Sequence, residues 1–299
     1  MTEFDWIAAP HTPFTARDDV ALDVIDQQAE HLRAAGVDGV LIAGSTGEGS
    51  SLTSAERRDL AARWSAAAGS LQLWVHVGHD SVREAAALAE HAAAIGARGV
   101  CAAPPSWFPV NEPEPLVAAC AEIASAAPEL PFLYYHIPTL SRVSLPMAPF
   151  VRRARARIPN FAGVKYTHFD PLDFQSLRRE HGEACKLYWG RDEQVVTGMA
   201  LGAHGAVGST YNFAMPVYRR LQQAFTDGDH DEVRRLQSYA ALLIERLAEH
   251  GYMAASKATM RYLGVDVGAV RAPLAPLPDG GEAAVFAALD ALDLRGQLA

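Results

Sequence analysis

Lysine is rare in this chain, and one lysine stands where a strand leaves the predicted core. The 299 residues include only Lys165, Lys186 and Lys257 among 26 basic side chains. Lys165 ends the apolar run FAGVK (161–165). Its amine is therefore expected at the end of a buried strand, where burial disfavours the ammonium form. A neutral amine can attack a carbonyl carbon to form an imine, which arginine cannot do because its guanidinium stays protonated. The alternative is a rim lysine whose stem covers apolar surface while its head reaches water.

Two further groups would complete imine chemistry on a 2-oxo acid. Tyr135 ends the run FLYY, and its phenol can move a proton at a reacting centre, although an aromatic ring packed in the rim is the plainer interpretation. The GSTGEG loop (44–49) offers the hydroxyls of Ser45 and Thr46 and several backbone N–H groups ahead of a helix. Such groups suit a carboxylate, and a tight turn without a ligand is the alternative. No lysine follows the loop as in a nucleotide-binding P-loop, which argues against a nucleotide phosphate.

Other polar clusters carry weaker signals. His76 and His79 have an H-x-x-H spacing but straddle a strand end without an evident third ligand, so no metal site is predicted. Asp192 and Glu193 open a helix, where acidic side chains can simply complement the helix dipole. These clusters alone predict no chemistry.

The groups named above need a scaffold that gathers strand ends at one place. Short apolar runs alternate with alanine-rich helical stretches, and the runs lie at 6–10, 40–44, 73–78, 100–104, 132–136, 161–167, 186–190 and 205–210. Several runs do not alternate with polar residues, which is typical of parallel strands buried on both faces. Eight strands, each followed by a helix, predict an α/β fold of the (β/α)8 TIM-barrel type, with a doubly wound sheet as the alternative. In a barrel, the carboxyl ends of the strands carry the active site.

The helical stretches follow the same order and then continue without strands. The predicted barrel helices are 22–35, 54–68, 81–95, 114–127, 146–156, 171–181, 193–202 and 215–226. The second begins with a capping-box pattern, Thr53 to Glu56. Three further helices (229–249, 253–264 and 282–292) predict a C-terminal helical extension. We therefore divide the chain into a catalytic barrel, residues 1–226, and a helical region packed on it, residues 227–299.

The composition narrows the function classes. A net charge of −9 opposes binding to nucleic acid or to an anionic membrane. No apolar run has the length of a membrane helix, and the N-terminal residues do not resemble a secretory signal. Cys101, Cys120 and Cys185 are odd in number and far apart, which favours a reducing cytoplasm.

Five motifs, in order along the chain, resemble the dihydrodipicolinate synthase and N-acetylneuraminate lyase superfamily of pyruvate-dependent class I aldolases. They are GSTGE (44–48), YYHIP (134–138), GVKYT (163–167), WGRDE (189–193) and GAVGSTYN (205–212). The resemblance spans about residues 5–265 and implies a TIM barrel, a homotetramer built as a dimer of dimers, and no metal or organic cofactor. Leu140 and the G-x-D-E segment are similar to the lyase branch, since the synthases usually have an arginine at the position of Leu140.

The resemblance also implies a role for each matching residue. Lys165 would form the covalent imine with the C2 ketone of a sialic acid, and Tyr135 would take the proton of the C4 hydroxyl. Ser45 would hold the C1 carboxylate together with Thr46 and Gly47 of the same loop. The residues expected on the sugar side are Thr167, Gly190, Asp192, Glu193 and Ser209.

Some positions depart from the family's pattern and leave the substrate open. Pro105 and Ser106 stand where an aromatic pair is common, Ser141 and Arg142 replace a usual glycine step, and Arg191 adds a cation near the mouth. A related aldolase or hydratase acting on another 2-oxo-3-deoxy sugar acid or an aromatic substrate is therefore the alternative. A catalytically silent barrel that binds a 2-oxo acid is a third hypothesis.

Overall fold

Eight parallel strands close into a barrel in a computed structural model that describes residues 4–298. The strands are β1 (Asp5–Ala8), β2 (Gly39–Ile42), β3 (Gln72–His76), β4 (Gly99–Ala102), β5 (Phe132–His136), β6 (Phe161–Tyr166), β7 (Lys186–Trp189) and β8 (Gly205–Gly208). Each strand pairs with the next along the chain, and β8 pairs with β1. The TIM barrel is confirmed, and the doubly wound sheet is wrong.

The strands are four to six residues long, and most of their residues are buried. β2 and β4 are buried along their whole length, which explains their unbroken apolar sequences. The predicted run at 40–44 stops as a strand at Ile42 because Ala43 has a φ of 54°, in the left-handed region. The polar residues that follow thus leave the sheet at the carboxyl ends of the strands, as a barrel active site requires.

Two apolar clusters form the core. The larger lies between the barrel wall and the helices and includes Trp6, Trp64 and Phe150. The smaller contains inward-facing side chains of the strands, namely Ile7, Leu41, Trp74, Cys101, Leu133, Tyr135, Ile137, Tyr188 and Val207. Tyr135 therefore stands at the boundary between a packed barrel interior and the mouth.

The barrel helices match the predicted order, with one addition. They are α1 (Ile25–Ala34), α2 (Ser54–Ala67), α3 (Val82–Ala94), α4 (Pro113–Ser125), α5 (Pro138–Ser141), α6 (Met147–Arg157), α7 (Pro171–His181), α8 (Val195–Ala200) and α9 (Met215–Asp227). The capping box of α2 is confirmed, with the Thr53 hydroxyl and the Glu56 carboxylate each accepting the other's backbone N–H. The single-turn α5 was not predicted; it follows β5 directly because Pro138 suits the first position of a helix.

The three helices predicted after α9 are confirmed, and a fourth, short helix follows them. They are α10 (His230–Glu249), α11 (Tyr252–Tyr262), α12 (Gly281–Ala291) and α13 (Leu294–Leu298). α10 packs on α9 and on the turn at Asp192–Gln194, so this region contacts the loop after β7. The division into residues 1–226 and 227–299 stays a prediction. Within residues 4–298, no helix has the length and apolarity needed to cross a membrane.

Candidate active site

The amine of Lys165 and the ring of Tyr135 meet at the barrel mouth. The two residues are direct register partners on β5 and β6. Lys165 is 5% exposed, and its Nζ lies 3.9 Å from the centroid of the Tyr135 ring. The buried lysine is therefore confirmed, whereas a rim lysine that reaches freely into water is wrong.

A cavity of about 260 Å³ opens above this pair. Eight of the ten predicted site residues line it: Thr46, Tyr135, Lys165, Thr167, Gly190, Asp192, Glu193 and Ser209. These residues come from the ends of five different strands, and Ala9 from the end of β1 adds to the wall. The closed barrel brings them together because every strand ends at the same rim.

The other two predicted residues have different surroundings. Ser45 lines a neighbouring cavity of about 390 Å³, while Thr46 lines the cavity of Lys165. The Gly47 carbonyl accepts a hydrogen bond of 2.6 Å from the Thr12 hydroxyl. A Cβ at Gly49 would lie 1.9 Å from the Ala43 carbonyl oxygen, so the GSTGEG loop folds tightly back on the end of β2.

Thr167 and Gly190 form one close contact on the wall of the cavity. A Cβ added at Gly190 would lie 1.9 Å from the Thr167 Oγ1, so only glycine fits beside this hydroxyl. The Thr167 Oγ1 is buried without a hydrogen-bond partner. An unpaired buried hydroxyl costs free energy, and a substrate hydroxyl or carbonyl would supply the missing partner.

The Asp192 carboxylate is held from one side. Its Oδ2 accepts hydrogen bonds from the Thr210 backbone N–H at 2.9 Å and from the Thr210 hydroxyl at 2.7 Å. Its Oδ1 lies against Gly208, where a Cβ would come within 1.8 Å. Burial raises the pKa of Asp192, and the Thr210 hydrogen bonds oppose this shift. The carboxylate is thus oriented before any substrate arrives.

Arg191 lines the same cavity and pairs with Glu193. Its guanidinium forms an ion pair with Glu193, and its Cζ lies 3.5 Å from the centroid of the Phe169 ring. The Arg191 Nε is buried without a partner. Arg142, by contrast, is absent from the cavity wall and donates to the carbonyl oxygens of Ser106 and Trp107.

His76 packs against Tyr135 behind the site. The two rings are perpendicular with centroids 5.9 Å apart. Burial, with the nearby charges of Arg57 and Lys165, lowers the pKa of His76 to about 3, so this imidazole is neutral near pH 7. The His79 Nδ1 accepts from the Ser81 backbone N–H. Within residues 4–298, no group of three or more histidine, cysteine or acidic side chains is arranged to hold a metal ion.

Two residues of the C-terminal helices complete the wall, and the sequence did not point to either. Ile244 of α10 and Tyr252 of α11 both line the cavity of Lys165. The Tyr252 hydroxyl lies 2.6 Å from the Ser209 Oγ. The predicted site residues lie at strand ends or in the loops after them, whereas neither Ile244 nor Tyr252 follows a strand. Tyr252 begins α11 directly after Gly251, which has a φ of 81°.

The arrangement suits covalent chemistry at a ketone. A buried amine adjoins a phenol, and the hydroxyls and carboxylates that line the same cavity match a polyhydroxy chain.

The chain is similar in sequence and structure to proteins of one known family. The model of the dihydrodipicolinate synthetase family matches residues 4–292. The N-acetylneuraminate lyase of Danio rerio is 37% identical over 278 residues, covering 91% of each chain. The solved N-acetylneuraminate lyase of Proteus mirabilis is 38% identical with a TM-score of 0.95, covering 98% of this chain and all of its own. A structure of the Ruminococcus gnavus sialic acid aldolase, described as a catalytic lysine mutant, is 25% identical with a TM-score of 0.93, covering this whole chain and 98% of its own.

Proposed function

The chain belongs to the dihydrodipicolinate synthetase family, and we propose that it is a carbon–carbon lyase that reversibly cleaves N-acetylneuraminate to N-acetylmannosamine and pyruvate. The observation that carries the proposal is the Lys165 amine, buried in the cavity and in contact with Tyr135. The names of the relatives support N-acetylneuraminate as the substrate, and the R. gnavus mutant supports catalysis by a lysine.

Lys165 is the proposed nucleophile. Its neutral amine attacks the C2 ketone of the open-chain sugar acid, and loss of water gives an iminium. Tyr135 then takes the proton of the C4 hydroxyl while the C3–C4 bond breaks, and the bonding electrons move into the iminium. N-acetylmannosamine leaves, and the remaining enamine is protonated at C3 and hydrolysed to pyruvate and free lysine. The iminium stabilises the developing carbanion, so the reaction as proposed needs no metal or organic cofactor.

The two ends of the substrate are assigned to opposite walls. Thr46, Ser45 and the backbone of Gly47 are proposed to hold the C1 carboxylate on the GSTGEG loop. The sugar hydroxyls are assigned to Thr167, Gly190, Asp192, Glu193 and Ser209. The unpartnered Thr167 hydroxyl and the oriented Asp192 carboxylate support this assignment.

The proposal also covers the ligand, the oligomeric state and the cellular compartment. The enzyme's partner is a small 2-oxo acid, and we infer a homotetramer in the cytoplasm. Cys101, Cys120 and Cys185 are all free thiols, which fits a reducing compartment. Trp107 and Phe108 are largely exposed apolar side chains, and contact with another subunit would cover them.

Trapping with borohydride tests the chemistry. Incubation with pyruvate and sodium borohydride should reduce the imine and increase the mass of the peptide that contains Lys165. The matched control is Lys186→Ala, which removes an exposed lysine on β7 and should leave the adduct unchanged. Absence of an adduct at Lys165 under saturating pyruvate would overturn the proposal.

A related aldolase or hydratase is the second candidate, favoured by the Arg191–Glu193 ion pair at the sugar end. The Arg191 guanidinium neutralises the Glu193 carboxylate, which would otherwise accept hydrogen bonds from sugar hydroxyls. Rates with a panel of 2-oxo-3-deoxy sugar acids and aromatic substrates would decide. A larger kcat/KM for another acid than for N-acetylneuraminate would favour this candidate.

A further inference from the structure

A second buried lysine, Lys257 of the C-terminal helix α11, contacts the GSTGEG loop. The side chains of Lys257 and Glu48 are each 1% exposed, and their charged atoms lie 2.7 Å apart. The Lys257 Nζ also donates to the carbonyl oxygens of Thr12 and Ala269, both at 2.8 Å. The ammonium therefore has three acceptors, and the C-terminal region is fastened to the loop.

Glu48 has an unusual conformation for a non-glycine residue. Its φ of 52° lies in the left-handed region, which costs free energy unless surrounding contacts impose it. Its Oε2 accepts a hydrogen bond of 2.8 Å from the Arg271 backbone N–H. Both carboxylate oxygens of Glu48 are thus held by residues of the C-terminal region.

Thr12 links this ion pair to the neighbouring residue of the loop. Its carbonyl accepts from Lys257, while its hydroxyl donates to the Gly47 carbonyl. The two residues that follow Thr46 are therefore both fixed by contacts that meet at Lys257. Lys257 itself lines neither the cavity of Lys165 nor the neighbouring one, and its Nζ lies 4.3 Å from the Phe14 ring centroid.

A buried ion pair is weak evidence for stability, because the desolvation of two charges offsets their attraction. The positions of the two groups point instead to the shape of the loop. We propose that Lys257 is a positioning residue that, through Glu48 and Thr12, holds the GSTGEG loop in the conformation that binds the carboxylate of the 2-oxo acid. This inference rests on the proposed function, which supplies the carboxylate ligand.

The expected signature is weaker binding of the 2-oxo acid with the chemistry retained. Lys257→Met should raise the pyruvate concentration at half-maximal borohydride trapping by about tenfold or more, because a displaced loop binds the carboxylate poorly. At saturating pyruvate, the adduct should still form on Lys165. The double variant Glu48→Gln/Lys257→Met removes both charges and should regain stability without regaining affinity for pyruvate.

The matched control is Arg261→Met on the same helix. Arg261 pairs with Asp266 and Glu282 and does not contact the loop, so half-maximal trapping should stay at the wild-type concentration. Wild-type pyruvate affinity in the double variant, or an equal loss in the control, would overturn the positioning role. A double variant that does not fold would assign the pair to stability alone and would also overturn it. Failure of trapping in the unaltered protein would instead refute the proposed function.

Discussion

Lys165 and Lys257 are both buried, yet they differ in the polar acceptors around the amine and in access to a cavity. The Lys257 ammonium has a carboxylate and two carbonyl oxygens around it. The Lys165 amine, like that of Lys257, lies over an aromatic ring, but it borders a cavity. A full set of acceptors fixes an ammonium group in place, whereas an amine beside open space can reach a ketone. Burial alone therefore does not identify a nucleophilic lysine; its partners do.

Replacing each lysine in turn should separate activity from stability. We expect Lys165→Ala to lower kcat by about 10⁴-fold or more, because no other nucleophile is available, with little loss of stability. Lys257→Met should instead lower the free energy of unfolding by about 3–5 kcal/mol, because it leaves Glu48 buried without its counterion. Steady-state assays and urea unfolding of both variants measure this. Similar losses of kcat in the two variants would contradict the distinction.

Removing the Tyr135 hydroxyl should divide the reaction into its steps. We expect Tyr135→Phe to lower kcat for cleavage by about 10²–10⁴-fold, the usual contribution of a proton-transfer group. The ring remains in contact with Lys165, so trapping with pyruvate should persist. Rapid-quench measurements of cleavage, with trapping as the parallel assay, give both quantities. Cleavage at the wild-type rate would show that Tyr135 only packs against the amine.

Each buried lysine has a neutral histidine beside it, which predicts a pH effect on stability. Burial and the charge of Lys257 lower the pKa of His11 to about 3. Burial and the charges of Arg57 and Lys165 lower the pKa of His76 to about 3. Below a pH of about 6.5 the unfolded chain binds protons that the folded chain does not. Each histidine therefore lowers the free energy of unfolding by about 1.4 kcal/mol per pH unit as the pH falls from about 6 toward 3.

The variant His11→Gln should reduce this slope by about 1.4 kcal/mol per pH unit. Urea unfolding at a series of pH values between about 6 and 4 measures it. An unchanged slope would mean that His11 binds its proton in the folded protein as well.

Strand-end position made part of the site predictable from the sequence. Lys165 and Tyr135 could be found because a barrel gathers strand ends at one rim, and the register of β5 and β6 then sets them side by side. The separation of Ser45 from Thr46 could not be predicted, because it depends on left-handed conformations at Ala43 and Glu48. Neither residue is a glycine, so the sequence offers no local signal for that backbone.

The C-terminal contributions escaped prediction for a different reason. Tyr252 lies beside Ser209 and Lys257 beside Glu48, and both contacts depend on how α11 docks on the barrel. Helical periodicity predicts that a helix exists and which face is apolar, but not which distant loop that face will meet. The helix α5 escaped prediction because a single turn has no period to detect.

Thr12 contacts both Lys257 and Gly47, so the carboxylate site depends on residues that are far apart in the order of synthesis. The ribosome makes Thr12 and the GSTGEG loop early, but it makes Lys257 and Arg271 only after all eight strands have been synthesised. We expect a nascent chain that has formed its barrel to lack a finished carboxylate site until this segment emerges. Such a chain would bind the 2-oxo acid weakly, and tight binding would begin only after Lys257 and Arg271 have been made.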